Sequence, residues 1–200
     1  MSPHVTSKTV LRLHPETPTQ AVDGVEVRVC STQPGEIALT YVLRGDRSRL
    51  RIPASLPARR VEGLWQQTCF EAFIGVKGSP VYFEFNFSPS GEWAAYAFRG
   101  YRDGGAINDD KLDPKIIVQK EAERLELSAV MRLHRLSAIQ PGVALRVGLS
   151  AVIEERDGKL SYWALQHPPG KPDFHHPDSF ILEIQRPVDG ASIISYTGKR

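Results

Sequence analysis

The sequence has little cysteine: only Cys30 and Cys69 occur in 200 residues. That excludes a dense disulfide scaffold and a four-thiolate zinc cage, and two thiols without a CxxC spacing fit a reducing compartment. Charge of one sign is also lacking. The 25 Lys and Arg against 23 Asp and Glu leave a formal +2, and the charges are scattered, so nucleic acid and anionic membrane are not expected as partners. No apolar run reaches the length that crosses a bilayer, and the opening MSPHVTSKTVLRLHPETPTQ is polar, without the apolar stretch of a secretory leader. The expectation is a soluble, cytoplasmic protein. Fixed-period repeats and low-complexity segments are absent, and helical spacing is nearly so. Only ARRVEGLWQQ carries it weakly, at Val61, Leu64 and Trp65, with Gly63 against it.

What is present is punctuation. The 16 glycines and 15 prolines separate short strand-like segments at 9–13, 25–31, 36–43, 68–76, 81–88, 92–101, 115–119, 124–133, 143–155, 160–166 and 180–184. EIALTYVL alternates Ile37, Leu39, Tyr41 and Leu43 with Glu36, Ala38 and Thr40, the period of a strand with one face in a core. Asp157-Gly158 in EERDGKLSYW has the composition of a two-residue type I′ hairpin turn. About eleven strands with almost no helix predict an all-β sandwich of two antiparallel sheets, immunoglobulin-like or jelly-roll-like. One domain is expected over residues 1–186, followed by a frayed tail over 187–200.

The segment TCFEAFIGVKGSPVYFEFNFSPSGEWAAYAFRGYR is the most informative. With Gly78-Ser79 at the tip of a hairpin, Phe70, Ala72 and Ile74 share a core face with Phe83, Phe85 and Phe87. The other face then gathers Glu71, Tyr82, Glu84 and Asn86, with Glu71 opposite Asn86 and Phe73 opposite Glu84. Continuing through SPSG, the expected register adds Trp93, Ala95, Ala97, Arg99 and Tyr101 to the Glu71 face. Aromatic rings beside carboxylates, an amide and a guanidinium suit a partly apolar, hydroxyl-rich ligand such as a sugar, or another small polar molecule. The competing reading covers this face with another segment, makes Trp93 packing, and pairs Glu71 or Glu84 with Arg99 or Arg102.

A second concentration of polar chemistry is SYWALQHPPGKPDFHH, stiffened by its prolines. Trp163, His167, Asp173 and His175 are expected to wall one end of the sandwich, fixing the loop or lining the mouth of a pocket. His167, Asp173, His175 and His176 carry metal-ligating atoms, but the spacing matches no metal signature and the two adjacent histidines point apart on extended chain; no metal is expected. Capping bonds from Asp173 and His167 to loop backbone account for these side chains better. Ser161, His167 and Asp173 lack the elbow that presents a nucleophilic serine, and Cys69 lies within a strand. No catalytic residue is assigned.

At LWQQTCFEAFI, YFEFNFSPSGEWAAYAF and SAVIEERDGKLSYWALQHPPGKPDFHHPDSF the sequence resembles the bacterial DOMON-like proteins, relatives of the family 9 carbohydrate-binding modules, over Leu11 to Ile184. The resemblance implies a ligand-binding sandwich whose central strands carry Glu71, Glu84, Asn86 and Trp93 to a pocket. Members of the wider superfamily bind sugars or haem, the latter through methionine and histidine; here Met131 falls on the core side of LELSAVMRL, and no cofactor is expected. Three functions stay open: a small-molecule, carbohydrate-like binding module; an enzyme using the Glu pair or a Cys-His contact; and a protein-interaction domain.

Overall fold

The computed structural model describes residues 4–31, 35–185 and 193–197. Its strands, in chain order, are β1 (His4–Leu13), β2 (Val22–Ser31), β3 (Glu36–Gly45), β4 (Cys69–Val76), β5 (Tyr82–Phe87), β6 (Trp93–Gly100) and β7 (Asp103–Ala106). There follow β8 (Lys115–Lys120), β9 (Arg124–Arg132), β10 (Leu145–Glu154), β11 (Leu160–Ala164), β12 (Leu182–Gln185) and β13 (Ile193–Tyr196). Helix is confined to short 3-10 turns among the described residues. The all-β architecture read from the sequence is the one observed.

Two antiparallel sheets divide the strands. The first runs β1-β2-β3-β9-β8 and the second β7-β6-β5-β4-β10-β11, with β12 pairing the start of β10 and β13 beyond it. β1 belongs to both, pairing β2 along its length and β11 through Arg12 and Leu13. Apolar residues at alternate positions fill the space between the sheets: Val25, Val27 and Val29 on β2, Leu125, Leu127, Ala129 and Met131 on β9, Phe70, Ala72 and Ile74 on β4, and Phe83, Phe85 and Phe87 on β5. Tyr41 of β3 crosses this core. Its ring lies 5.0 Å from that of Phe70, and its hydroxyl donates a 2.6 Å hydrogen bond to the carbonyl of Glu71.

The sheets differ in their outer faces. β9 alternates half-buried with buried residues, as expected where one face meets solvent. All six residues of β5 and Cys69 to Gly75 of β4 are buried. The second sheet is therefore covered on both sides, and its outer face is where a site can be enclosed.

Several expectations are corrected. Trp93 pairs with Phe87, Ala95 with Phe85 and Ala97 with Phe83, so Trp93 lies in the core at 2 % exposure and Ala94, Tyr96 and Phe98 take the Glu71 face. The cause is loop length. Five residues, 88–92, separate the paired Phe87 and Trp93, because Ser88, Ser90 and Glu92 close the turn through bonds from the Ser88 amide to the Glu92 carbonyl and from Ser90 Oγ to Glu92 Oε2. A four-residue turn would have reversed the parity. Trp163 pairs with Ala151 on the core side and donates from Nε1 to Ser161 Oγ at 3.0 Å. Arg99 projects to solvent and pairs with Asp103.

The hairpin at Asp157 is also different in detail. Glu155 donates to the Lys159 carbonyl across three residues, and only Gly158 has positive φ, at 86°, the pattern of a three-residue loop closed by a left-handed glycine. Residues 58–67 form one 3-10 turn, Leu64–Gln66, in place of a helix. Within the segment expected to fray, β13 pairs with β12; residues 187–192 and 198–200 lie outside the described residues.

Candidate functional site

The pleat of the second sheet sends Glu71 and Phe73 of β4, Glu84 of β5, Tyr96 and Phe98 of β6, Val152 of β10 and Tyr162 of β11 to its outer face. These residues form the floor of a cavity of about 370 Å³. The loop after β11 folds back over the floor and contributes Pro172, Phe174 and His175, while Trp65 and Arg102 stand at the rim. Prolines at 168, 169 and 172 keep this loop out of the ladder. Phe180, at the end of the loop, packs edge-on against Phe73 and Tyr82 and anchors it.

His175 is held in an aromatic frame. Its ring meets Phe73 and Phe98 edge-on at 5.1 and 5.2 Å, Nδ1 lies 2.9 Å from the Tyr82 hydroxyl, and Nε2 lies 3.6 Å from Glu84 Oε2. Burial, with the Arg102 charge adding to it, lowers the imidazole to about 4, so the ring is neutral near pH 7. Asp173 Oδ1 accepts from the His175 amide and from Arg102, and its Oδ2 accepts from Tyr101. Burial opposes ionisation of Asp173, yet these bonds hold its carboxyl below the ordinary range.

Arg102 occupies a tight turn between β6 and β7 with φ of 55°, a left-handed conformation that costs a side-chain-bearing residue about 1–2 kcal/mol. Its amide donates to the Tyr82 hydroxyl at 3.0 Å, and its guanidinium is fixed by Asp173 at 2.9 Å. The turn thus holds a cation at the rim.

The two floor carboxyls are the most perturbed acids. Glu71 is 2 % and Glu84 5 % exposed. Burial, then repulsion from Glu84, pushes Glu71 well above the carboxylate range, against a 3.3 Å bond from Ser150. Burial raises Glu84 to about 7, although Asn86 donates to it at 2.8 Å and Arg102 is near. Neither glutamate is paired with Arg99 or Arg102 among the described residues, contrary to the competing sequence reading.

The residues singled out from sequence therefore separate. Glu71, Glu84 and His175 line the cavity; Tyr82, Asn86 and Asp173 stand behind it, bonded to His175, Glu84 and Arg102 respectively. Trp93, Trp163 and Arg99 are not at the cavity. His167 is likewise outside its lining, its Nε2 bonded to the Arg12 carbonyl at 2.8 Å, so that its backbone partner lies in β1 and not in the loop as expected. His176 caps the turn Pro177–Ser179, accepting from the Asp178 amide. Cys69 is fully buried and its thiol is pushed well up by burial and then by Glu71, the reverse of an activated nucleophile.

Trp65, Tyr96, Phe98, Arg102, Tyr162 and Phe174 were not assigned to a site from sequence. Tyr96 and Phe98 follow once the β6 parity is set. Trp65 carried no such signal in the sequence, where it falls in a weak helical spacing; the structure leaves its indole 51 % exposed beside the cavity.

No protein-family model matches the chain, and comparison with curated proteins finds no match. Solved structures do resemble it. A Bacteroides uniformis protein proposed to bind carbohydrate superimposes with a TM-score of 0.67 at 17% identity, over 88% of this chain and 84% of that one. The likeness is one of fold. A family 9 carbohydrate-binding module of Caldicellulosiruptor kristjanssonii, in complex with cellotriose, gives 0.53 at 10% identity over 97% of this chain and 84% of the module. The complex with glucose gives 0.50 at 10% identity, over 94% and 83%. The chain thus has the β-sandwich fold of these carbohydrate-binding modules.

Proposed function

We propose that the outer-face cavity binds a small polar molecule of carbohydrate type, and that the chain is a DOMON-like binding module. The supporting observation is the meeting, in one cavity, of aromatic rings at Trp65 and Phe174 with hydrogen-bonding groups at Glu71, Glu84, His175 and Arg102. Rings stack on the C–H faces of a sugar while polar groups take its hydroxyls. Glucose and cellotriose are bound by the structural neighbours. Calorimetric titration with glucose and cellotriose is the test: measurable binding that disappears in Trp65→Ala supports the reading, and binding unaffected by Trp65→Ala and Phe174→Ala places the ligand elsewhere and ends it.

A second reading is favoured by one observation, the elevation of Glu84 to about 7 beside Glu71, itself raised well above the carboxylate range. A carboxyl titrating near neutral pH is suited to general acid–base work on a glycosidic bond. Turnover of aryl glycosides that Glu84→Gln removes would select this reading over simple binding.

A further inference from the structure

Resting on the carbohydrate-type reading of the cavity, we infer that its preferred ligand carries a protonated amine, seated between Glu71 and Glu84 and bordered by aromatic rings. The rim cation and the loop imidazole are already committed to partners. Arg102 is the cation at the rim, and Asp173 holds its guanidinium at 2.9 Å while the Tyr101 ring lies beneath it at 5.7 Å. His175 commits Nδ1 to Tyr82 and reaches Glu84 only at 3.6 Å. Glu71 receives a single 3.3 Å bond from Ser150, and Glu84 a bond from Asn86. Two buried carboxyls thus share a floor with no lysine or arginine partner among the described residues.

The same floor is short of donors. Asn86, which stands behind the floor, gives its amide nitrogen to Glu84, and Ser150 is the other side chain that donates to the pair among the described residues. Buried acceptors left open cost free energy, and an ammonium brings three donors and no acceptor. The walls agree with this choice, because the faces of Trp65, Tyr96 and Phe174 are negative and attract a cation. An anionic sugar would meet two acids and a guanidinium already neutralised.

The titratable groups around the carboxyls set how binding depends on pH. From their own strands come Cys69 and Tyr82, and from β6 and β11 come Tyr96 and Tyr162; burial keeps all four protonated. From the turn and the loop come Arg102, Asp173 and His175, the first two as an ion pair and the last neutral. Glu84 at about 7, with Glu71 above its usual range, is therefore the group that changes near neutrality. Seating a cation favours the ionised carboxyl, whose proton passes to the buffer, so affinity rises as pH rises toward 7.

The test is calorimetric titration of the full chain with glucosamine and with glucose at about pH 5.5 and about pH 7, in buffers of different ionisation heat. Expected are glucosamine binding at least about tenfold tighter than glucose near pH 7, an affinity for glucosamine that grows roughly tenfold between the two pH values, and proton release to the buffer. In Glu84→Gln the ratio of the two affinities should fall toward one and the pH dependence flatten. Glucose bound as tightly as glucosamine, or glucosamine bound without pH dependence, overturns the amine preference and leaves the carbohydrate reading standing. Failure of both sugars to bind overturns that reading and the inference with it.

Discussion

The Tyr82 hydroxyl lies 2.9 Å from Nδ1 of His175 and 3.0 Å from the backbone nitrogen of Arg102. The amide donates to the phenol; when the phenol's own proton goes to Nδ1, Nε2 carries the imidazole hydrogen and faces Glu84. One side chain beneath the cavity thereby sets both the tautomer of the loop histidine and the position of the rim cation. Tyr82→Phe leaves two groups short of a partner and should lower stability by about 1–3 kcal/mol in urea unfolding.

Trp93 and Trp65 should respond oppositely to truncation. Trp93→Ala empties a site in the core and should cost about 3–5 kcal/mol, comparable with Phe85→Ala. Trp65 is 51 % exposed, and Trp65→Ala should cost under about 1 kcal/mol while removing sugar binding. Urea unfolding and calorimetry on the same preparations measure the two effects.

Arg102 offers a paired comparison of backbone and side chain. Both Arg102→Gly and Arg102→Ala lose the bond to Asp173, but only glycine accepts φ of 55° without strain. Arg102→Gly should be more stable than Arg102→Ala by about 1 kcal/mol, and both should weaken ligand binding. Equal midpoints would show the conformation to be unstrained.

Stability should depend on pH through Glu84 in a direction opposite to that of a salt-bridged acid. Its folded value of about 7 lies above the unfolded 4.5, so the stabilising contribution is present below about pH 4.5 and is lost as pH rises toward 7. Glu71 acts in the same sense, and His175, lowered to about 4, acts in the other, costing stability as pH falls from 6.5. The clean observable is the difference between Glu84→Gln and the parent protein. It should shift in favour of Gln by about 3 kcal/mol between pH 4.5 and 7 in unfolding measured across that range. A flat difference would mean that Glu84 titrates normally.

Asp173→Asn should loosen the loop without unfolding the sandwich. Asp173 receives the His175 amide together with Arg102 and Tyr101, and with this partly exposed site screened by solvent the loss should be about 1 kcal/mol. Hydrogen exchange should quicken in peptides spanning 172–176, with β4 and β5 unaffected.

The first hairpin was legible in the sequence because its faces differ sharply: three phenylalanines on β5 leave one register that buries them, and Glu71 opposite Asn86 followed from it. The next strand was not, because parity across a turn depends on whether the loop holds four residues or five. At SPSGE that choice rests on Ser90, whose hydroxyl meets both the Ser88 hydroxyl and the Glu92 carboxylate inside the turn, which no periodicity reports. Trp93 and Arg99 were misplaced by that single residue, and Tyr96 and Phe98 were missed by it. Trp163 was read by its neighbours in the loop, whereas its pairing with Ala151 sends it to the core. Arg102 reaches the cavity through a left-handed turn residue, a conformation its side chain disfavours and its sequence does not announce.

Tyr41 gives the cavity its mechanical character. By spanning the core to grip the Glu71 carbonyl at 2.6 Å, it nails the acidic floor to the opposite sheet, so that β4 cannot bow outward without breaking a buried bond. Whatever adjustment a guest requires would then fall to the Phe174 and His175 roof and not to the base.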